Sequence, residues 1–200
     1  MKNFMLLMTT VLVFACGGPT EPVVTVATSG DFSGFEVSKI AGSELEKAIK
    51  KNAQTGQLAE DGFIYNGMKT GTWTTYHPND NLTVYTVNNY VNGKKEGLYL
   101  EAEKNNRVKT IGSYSNDVKH GKWITYNFSR REIEQDYKNG KLHGFSRTFY
   151  KTGKDGQVKE EIEFSNGIQD GVYRYYKEDG TISMDYVYKN GKIVERKKQG

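Results

Sequence analysis

Three histidines and several carboxylates are the residues whose types suggest chemistry, and metal binding is the chemistry they suggest. His120 and His143 occupy the same place in a short recurring pattern, and Glu96 and Asp170 occupy that place on either side of them. Equivalent positions are predicted to lie two strands apart, about 9–10 Å, whereas zinc needs ligand atoms about 2.0–2.3 Å away. We therefore interpret the four residues as a solvated polar turn position, and we expect no metal and no other cofactor.

Catalytic motifs are missing from the sequence. Gly17-Gly18 is the only glycine pair, and no glycine-rich loop leads into a helix with the Lys-Ser or Lys-Thr pair that holds phosphates. The acidic pairs Glu160-Glu161 and Glu132/Glu134 are interpreted as residues on the solvent face of strands. No nucleophile, base and orienting residue share a defensible spacing, so we expect no catalytic residues and a protein that is not an enzyme.

The first sixteen residues indicate export. Met1-Lys2-Asn3 gives a positive start, and Phe4 to Phe14 is an apolar run of eleven residues, shorter than the roughly 20 that span a bilayer. Val13-Phe14-Ala15-Cys16 resembles the bacterial lipobox, which implies a signal peptide over residues 1–15 and lipid attachment at Cys16. The alternative is an ordinary cleavage site with an incidental thiol. We expect an exported protein, lipid-anchored at the outer membrane or cell surface rather than the inner membrane.

The charge of the chain argues against nucleic acid as a partner. The formal net charge is +4, and removal of the signal peptide with Lys2 lowers it to +3, with 27 basic and 24 acidic residues. The short basic stretch Glu195-Arg196-Lys197-Lys198 is typical of a solvated terminus. We therefore expect no nucleic-acid binding.

Two segments precede the main part of the chain. Residues 16–34 contain few large apolar side chains and are predicted to be a tether. Residues 35–60 are predicted to hold a short helix, because Ser43-Glu44-Leu45-Glu46 fits a capping box and Leu45, Ala48 and Ile49 would then share one face. A helix of about three turns is marginal alone, so we expect it to dock against the first repeat.

From residue 61 to residue 200 the sequence repeats. The frame is an aromatic or apolar residue, any residue, Asn, Gly, three mostly polar residues and a second Gly, followed two residues later by Trp or Tyr. Successive asparagines are 26, 24, 23, 27 and 24 residues apart. The repeat-structural residues are Asn66, Gly67, Gly71, Trp73, Asn92, Gly93, Gly97, Tyr99, Asn116, Gly121, Trp123, Asn139, Gly140, Gly144, Asn166, Gly167, Gly171, Tyr173, Asn190 and Gly191.

Each repeat is predicted to be a β-hairpin, with the Asn-Gly pair as a turn. Strand-type residues follow the second glycine, and turn residues separate the strands. The fold class is therefore an all-β repeat array, in which antiparallel hairpins of about 24 residues form an elongated, curved sheet. A second aromatic residue follows the first after three positions, so either both faces carry rings or a bulge intervenes. One hairpin buries too little apolar surface to offset the conformational entropy that its residues lose on folding. Stacking of neighbouring hairpins must therefore stabilise the array.

The frame resembles the variant MORN repeat found in bacterial YwqK-like antitoxins, over about residues 63–194. The resemblance implies a protein-binding surface, with a toxin as the partner. Asp117, Ser146 and Glu195 depart from the frame. The alternative function is an envelope structural lipoprotein whose repeats bind glycan or phospholipid. The recurring aromatic residues need no ligand to explain them, because aromatic rings also pack against each other across neighbouring strands.

Overall fold

The computed structural model describes residues 30–78, 80 and 82–197, and these residues form one open sheet. Fourteen strands follow one another in sequence order, and each pairs antiparallel with its chain neighbours, so the predicted all-β hairpin array is confirmed. Within the described residues, no helix long and apolar enough to cross a bilayer is present. The strands are β1 (Glu36–Lys39), β2 (Glu46–Lys51), β3 (Leu58–Tyr65), β4 (Met68–Tyr76), β5 (Val84–Val91), β6 (Lys94–Ala102), β7 (Val108–Ser115), β8 (Val118–Asn127), β9 (Arg130–Lys138), β10 (Lys141–Phe149), β11 (Val158–Ser165), β12 (Ile168–Tyr176), β13 (Ile182–Lys189) and β14 (Lys192–Arg196).

The Asn-Gly pairs are two-residue hairpin turns along one edge of the sheet, which we call the turn edge. Asn66 has φ of 49° and Gly67 has φ of 70°, and the other five asparagine turns have both residues at positive φ as well. Positive φ at both positions defines the type I′ turn, whose twist matches that of paired strands. Asparagine tolerates this conformation and glycine has no Cβ to oppose it, which explains why the pair recurs.

The three-residue offset between the two aromatic residues of each unit is explained by rings on both faces together with bulges. The Tyr76 hydroxyl donates to Asp61 Oδ1 at 2.9 Å, whereas Trp73 lies over Gly62. Since Asp61 and Gly62 are neighbours in β3, the two rings lie on opposite faces. A register shift also falls between Thr75 and Tyr76 in the pairing of β4 with β5. Both alternatives that the sequence left open are therefore present.

The helix predicted within residues 35–60 is wrong, because this segment forms β1 and β2. Ala48 lies opposite Gly62 of β3 and is fully buried against Ile64 and Trp73. The Ser43 hydroxyl accepts from the Leu45 amide at 3.1 Å, but it does so in the loop that joins the two strands. Pairing along β3 gives each strand residue a cross-strand partner, which a three-turn helix alone lacks.

The last part of the predicted tether contacts the sheet. The Phe32 ring stacks on Trp73 with centroids 6.1 Å apart, and the Phe35 ring meets Trp73 edge-on at 5.8 Å. The two phenylalanines cover Trp73, which is buried. Residues 30–35 therefore cap the first ring of the array, and the tether interpretation fails for residues 30–34. The rest of the tether, the signal peptide and Cys16 lie outside the described residues.

Candidate functional site

The first aromatic residue of each unit lies on one face of the sheet, which we call the ring face. Because successive side chains of a β-strand point to opposite faces, each strand sends alternate side chains to this face. Its central row crosses the strands as Gly62, Trp73, Asn88, Tyr99, Gly112, Trp123, Gln135, Ser146, Ile162, Tyr173 and Tyr186.

Both tryptophans lie flat across a glycine of the preceding strand. A Cβ on Gly62 would overlap the Trp73 ring, and a Cβ on Gly112 would overlap the Trp123 ring. Each indole Nε1 donates to a backbone carbonyl of that strand, Phe63 in one case and Ser113 in the other, both at 3.0 Å. The glycines therefore provide the space that lets the rings form a core on a single sheet.

A lysine lies over each tryptophan. Lys69 Nζ is 3.9 Å from the centroid of the Trp73 ring, and Lys119 Nζ is 4.2 Å from that of the Trp123 ring. Burial lowers the pKa of Lys119 below its usual value. A cation over an aromatic face is attracted by the ring quadrupole, so these lysines cover the rings.

The densest ring cluster spans β6 to β9. Trp123 is only 6% exposed and is surrounded by Tyr99, stacked at 5.1 Å, Tyr114, edge-on at 5.1 Å, and Tyr137, edge-on at 6.3 Å. Burial raises the pKa of all three tyrosines. Trp123 thus belongs to the packing, whereas the tyrosines around it are half-buried and reach the surface.

A recess of about 310 Å³ opens within this cluster. Its wall combines rings with polar groups, and the Tyr99 hydroxyl donates to Glu101 Oε2 at 3.3 Å within it. Aromatic faces beside carboxylate, amide and hydroxyl groups can bind a ligand that has both apolar and hydrogen-bonding surfaces. The lining residues are Tyr99, Glu101, Thr110, Tyr114, Lys119, Trp123, Thr125 and Gln135.

The opposite face carries a ladder of ion pairs, and we call it the ion-pair face. Arg147 lies between Glu134 and Glu161, with nitrogen–oxygen distances of 3.5 and 2.7 Å. Arg174 continues the ladder from Glu161 at 3.5 Å to Asp185 at 3.6 Å. Glu134 is buried and the Glu161 side chain is only 12% exposed, so the interpretation of these two as solvent-facing residues is wrong.

Three of the four residues first considered as metal ligands, Glu96, His143 and Asp170, bind the backbone N–H of the next turn. Glu96 Oε2 accepts from the Asn116 amide at 2.8 Å, His143 Nδ1 accepts from the Asn166 amide at 3.4 Å, and Asp170 Oδ1 accepts from the Asn190 amide at 3.3 Å. The polar position therefore caps the turns at Asn116, Asn166 and Asn190. His120 lies in β8 and His143 in β10, two strands apart as predicted.

The remaining predicted residues occupy defined places in the array. All six repeat asparagines and the glycines after them are turn residues, and the second glycines take positive φ near the starts of their strands. Within the described part of the chain, no group of three or more His, Cys, Asp or Glu side chains is arranged to hold a metal ion.

Sequence reasoning missed Gly62, Gly112 and the lysines over the tryptophans. A signal for the glycines exists, since each lies within a strand-type segment eleven residues before a tryptophan. Lys69 and Lys119 both follow a repeat asparagine by three residues. These offsets have meaning only when the register of the hairpins is known.

A scan against protein-family models and a search of curated proteins find no match for the chain. The resemblance to MORN repeats therefore rests on the repeat frame.

Proposed function

We propose that this chain is a binding protein, held to a bacterial membrane by lipid on Cys16, that presents its ring face to another protein. The observation that carries the proposal is the ring cluster of β6 to β9, where three half-buried tyrosines surround Trp123. Tyrosine and tryptophan are enriched at protein interfaces because they offer large contact areas with a polar group.

The rigidity of this surface supports the same proposal. Cross-strand hydrogen bonds hold the backbone, and the core rings hold the tyrosines, so little side-chain freedom is lost on binding. Following the resemblance to YwqK-like antitoxins, the partner is a toxin protein, neutralised when the sheet covers its active surface. An exported anchor places such a protein where toxins from neighbouring cells arrive.

Capture from detergent-solubilised membranes tests the ring face. Tyr137→Ser is expected to lose the partner, because it removes a ring from the cluster of Trp123. Tyr126→Ser is the matched control, since Tyr126 is also half-buried but lies on the opposite face. Circular dichroism checks that both variants fold. Equal capture by the two variants would reject the ring face as the interface.

Fractionation tests the anchor separately. Cys16→Ser is expected to move the protein from the membrane pellet to the soluble fraction, because only the acyl chains hold it there. Continued pelleting in high salt would show that something other than lipid anchors the chain.

Glycan is the second candidate ligand, and the recess among the rings is the observation that favours it. Glu101 and Gln135 lie beside ring edges there, a combination suited to sugar hydroxyls. Calorimetric titration with peptidoglycan fragments, and sedimentation with phospholipid vesicles, would distinguish an envelope structural role from protein binding. Saturable glycan binding that is lost in Tyr114→Ser, whose ring lines the recess, without any protein partner, would favour this second candidate.

A further inference from the structure

The first Asn-Gly turn differs from the four later ones in how its glycine amide is held. In the later turns the glycine N–H donates to a carbonyl of the preceding hairpin. Among the described residues, Gly67 N–H makes no such bond, and its carbonyl instead accepts from the Gly30 amide at 2.9 Å. The four held amides are Gly93 to Lys69 at 2.9 Å, Gly140 to Lys119 at 2.9 Å, Gly167 to Leu142 at 2.8 Å and Gly191 to Gln169 at 2.8 Å.

A recess surrounds the first turn. Asn66 and Gly67 line a space of about 390 Å³ together with Ser43, Glu44 and Glu46. The Tyr65 hydroxyl donates to Glu44 Oε2 at 3.0 Å and fixes this carboxylate at the turn. A carboxylate base and a hydroxyl thus lie, in a recess open to solvent, beside an asparagine that precedes glycine.

We propose that Asn66 is a modification site, at which the chain deamidates before any of its other Asn-Gly pairs. The Gly67 nitrogen attacks Cγ of Asn66 and gives up its proton, for which Glu44 is the nearby base. The bond from Cγ to the side-chain nitrogen breaks, and ammonia leaves with that proton. Water then opens the five-membered imide to aspartate or isoaspartate, so no oxidant or reductant is needed.

The contrast with the later turns follows from their hydrogen bonds. A glycine nitrogen whose N–H is donated to a carbonyl is held away from the asparagine side chain, and attack requires that bond to open. One net backbone hydrogen bond corresponds to a factor of about five in population. Asn66 is therefore expected to react about fivefold faster than Asn92, Asn139, Asn166 or Asn190.

This inference goes beyond the proposed function, because modification changes the turn edge and not the ring face. A new carboxylate at residue 66 would join Glu44 and Glu46 in one recess, and the isoaspartyl form would add a methylene to a turn that sets hairpin register.

Peptide mapping by mass spectrometry tests the proposal on the purified full chain, incubated at 37 °C and neutral pH. The peptide that contains Asn66 is expected to gain about 1 Da first. Under denaturing conditions, where no turn hydrogen bond remains and every pair is Asn followed by Gly, their rates should become comparable. Glu44→Gln keeps an acceptor for Tyr65 but removes the base, so it should slow Asn66 alone.

Two results would overturn the proposal. Equal deamidation rates at all five asparagines in the folded chain would show that the turn hydrogen bonds do not protect the later asparagines from deamidation. Unchanged Asn66 modification in Glu44→Gln, together with faster reaction at another pair, would remove the recess as the cause. Neither result depends on which partner the ring face binds.

Discussion

At the residue scale, the tryptophans do most to make a core on the one sheet that the described residues form. Trp123 covers Gly112, bonds the Ser113 carbonyl and is itself covered by Lys119. A ring that lies flat over a glycine shields backbone on the preceding strand, so one side chain joins two strands. The same arrangement recurs at Trp73, where Phe32 and Phe35 complete the cover.

Trp123→Ala is expected to destabilise the protein by about 3–5 kcal/mol, because it leaves a cavity above Gly112 and an unpaired Ser113 carbonyl. Urea unfolding followed by circular dichroism measures the change. Leu98→Ala, which truncates an exposed side chain on the adjacent sheet region, is expected to cost less than about 1 kcal/mol. Similar losses for the two would show that Trp123 is not part of the core.

Alkaline stability should depend on Tyr76. Burial, together with the hydrogen bond to Asp61, raises its pKa to about 12 from the usual 10.0. Because the folded pKa is raised, the contribution is fully present below pH 10 and is lost as the pH rises through 12. The free energy of unfolding of the native chain should therefore fall more steeply between these values than that of Tyr76→Phe. Parallel pH profiles for the two proteins would contradict this.

At the element scale, the turns and the ion-pair ladder organise the array. The residue after each later repeat asparagine donates its backbone N–H to a carbonyl near the start of a strand in the preceding hairpin, as Gly93 does to Lys69 and Asp117 does to Lys95. On the ion-pair face, side chains from β9 to β13 alternate in charge. Both features link hairpins that are separate in sequence.

The turn between β8 and β9 departs from the asparagine rule. Phe128 and Ser129 have φ of 48° and 66°, the same conformation as the Asn-Gly turns, and Phe128 is 76% exposed. A bulky residue is disfavoured there, so Phe128→Asn is expected to stabilise the protein by about 1 kcal/mol. Thermal unfolding measures the gain. The reverse change in an Asn-Gly turn, Asn92→Phe, should lower the stability by about the same amount. An increase in stability in both variants would refute the argument from turn conformation.

Breaking the ladder at its centre should destabilise the chain. Arg147→Met removes the cation that joins Glu134 to Glu161 and leaves Glu134 with Lys122 and Glu161 with Arg174. We expect a loss of about 2 kcal/mol, since both carboxylates are largely buried. Lys151→Met is the control, because the Lys151 side chain is 73% exposed and its pair with Glu132 should contribute less than about 1 kcal/mol. Equal losses in urea unfolding would mean that the ladder does not act as a unit.

At the scale of the whole molecule, the described strands form backbone pairs only with their chain neighbours, and ring contacts such as Tyr99 on Trp123 reach one strand further. The order β1 to β14 contains no crossover, so distant parts of the sheet communicate only through the strands between them. In such an array stability is close to a sum of local and nearest-neighbour contributions. The destabilisation caused by one substitution should therefore stay within the neighbouring strands.

Hydrogen exchange can measure this locality. Trp73→Ala is expected to increase amide exchange in β2 to β5, where its ring packs, while exchange in β11 to β13 stays unchanged. Trp123→Ala should instead affect β6 to β9. A uniform increase along the whole sheet would show that the array unfolds as one cooperative unit.

Much of the fold follows from local sequence. The Asn-Gly period predicts the hairpins, because few residues tolerate positive φ at two successive positions. Less of the candidate site can be predicted from the sequence. Trp123 and Tyr99 are recognisable as recurring residues, but Gly112 and Lys119 reach the Trp123 ring only because of the register between strands. The capping role of His143 likewise depends on the following turn.

The amino-acid sequence by itself determined the strand-rich repeats, the turn positions and the ring residues, since backbone preference and alternation act within a few residues. Only the tertiary structure decided that residues 46–51 form a strand, that rings occupy both faces, and that Glu134 is buried beside Arg147. The physical reason is that these outcomes depend on cross-strand partners. Ala48 is buried because β3 and Trp73 lie against it, and nothing within its own segment specifies that contact.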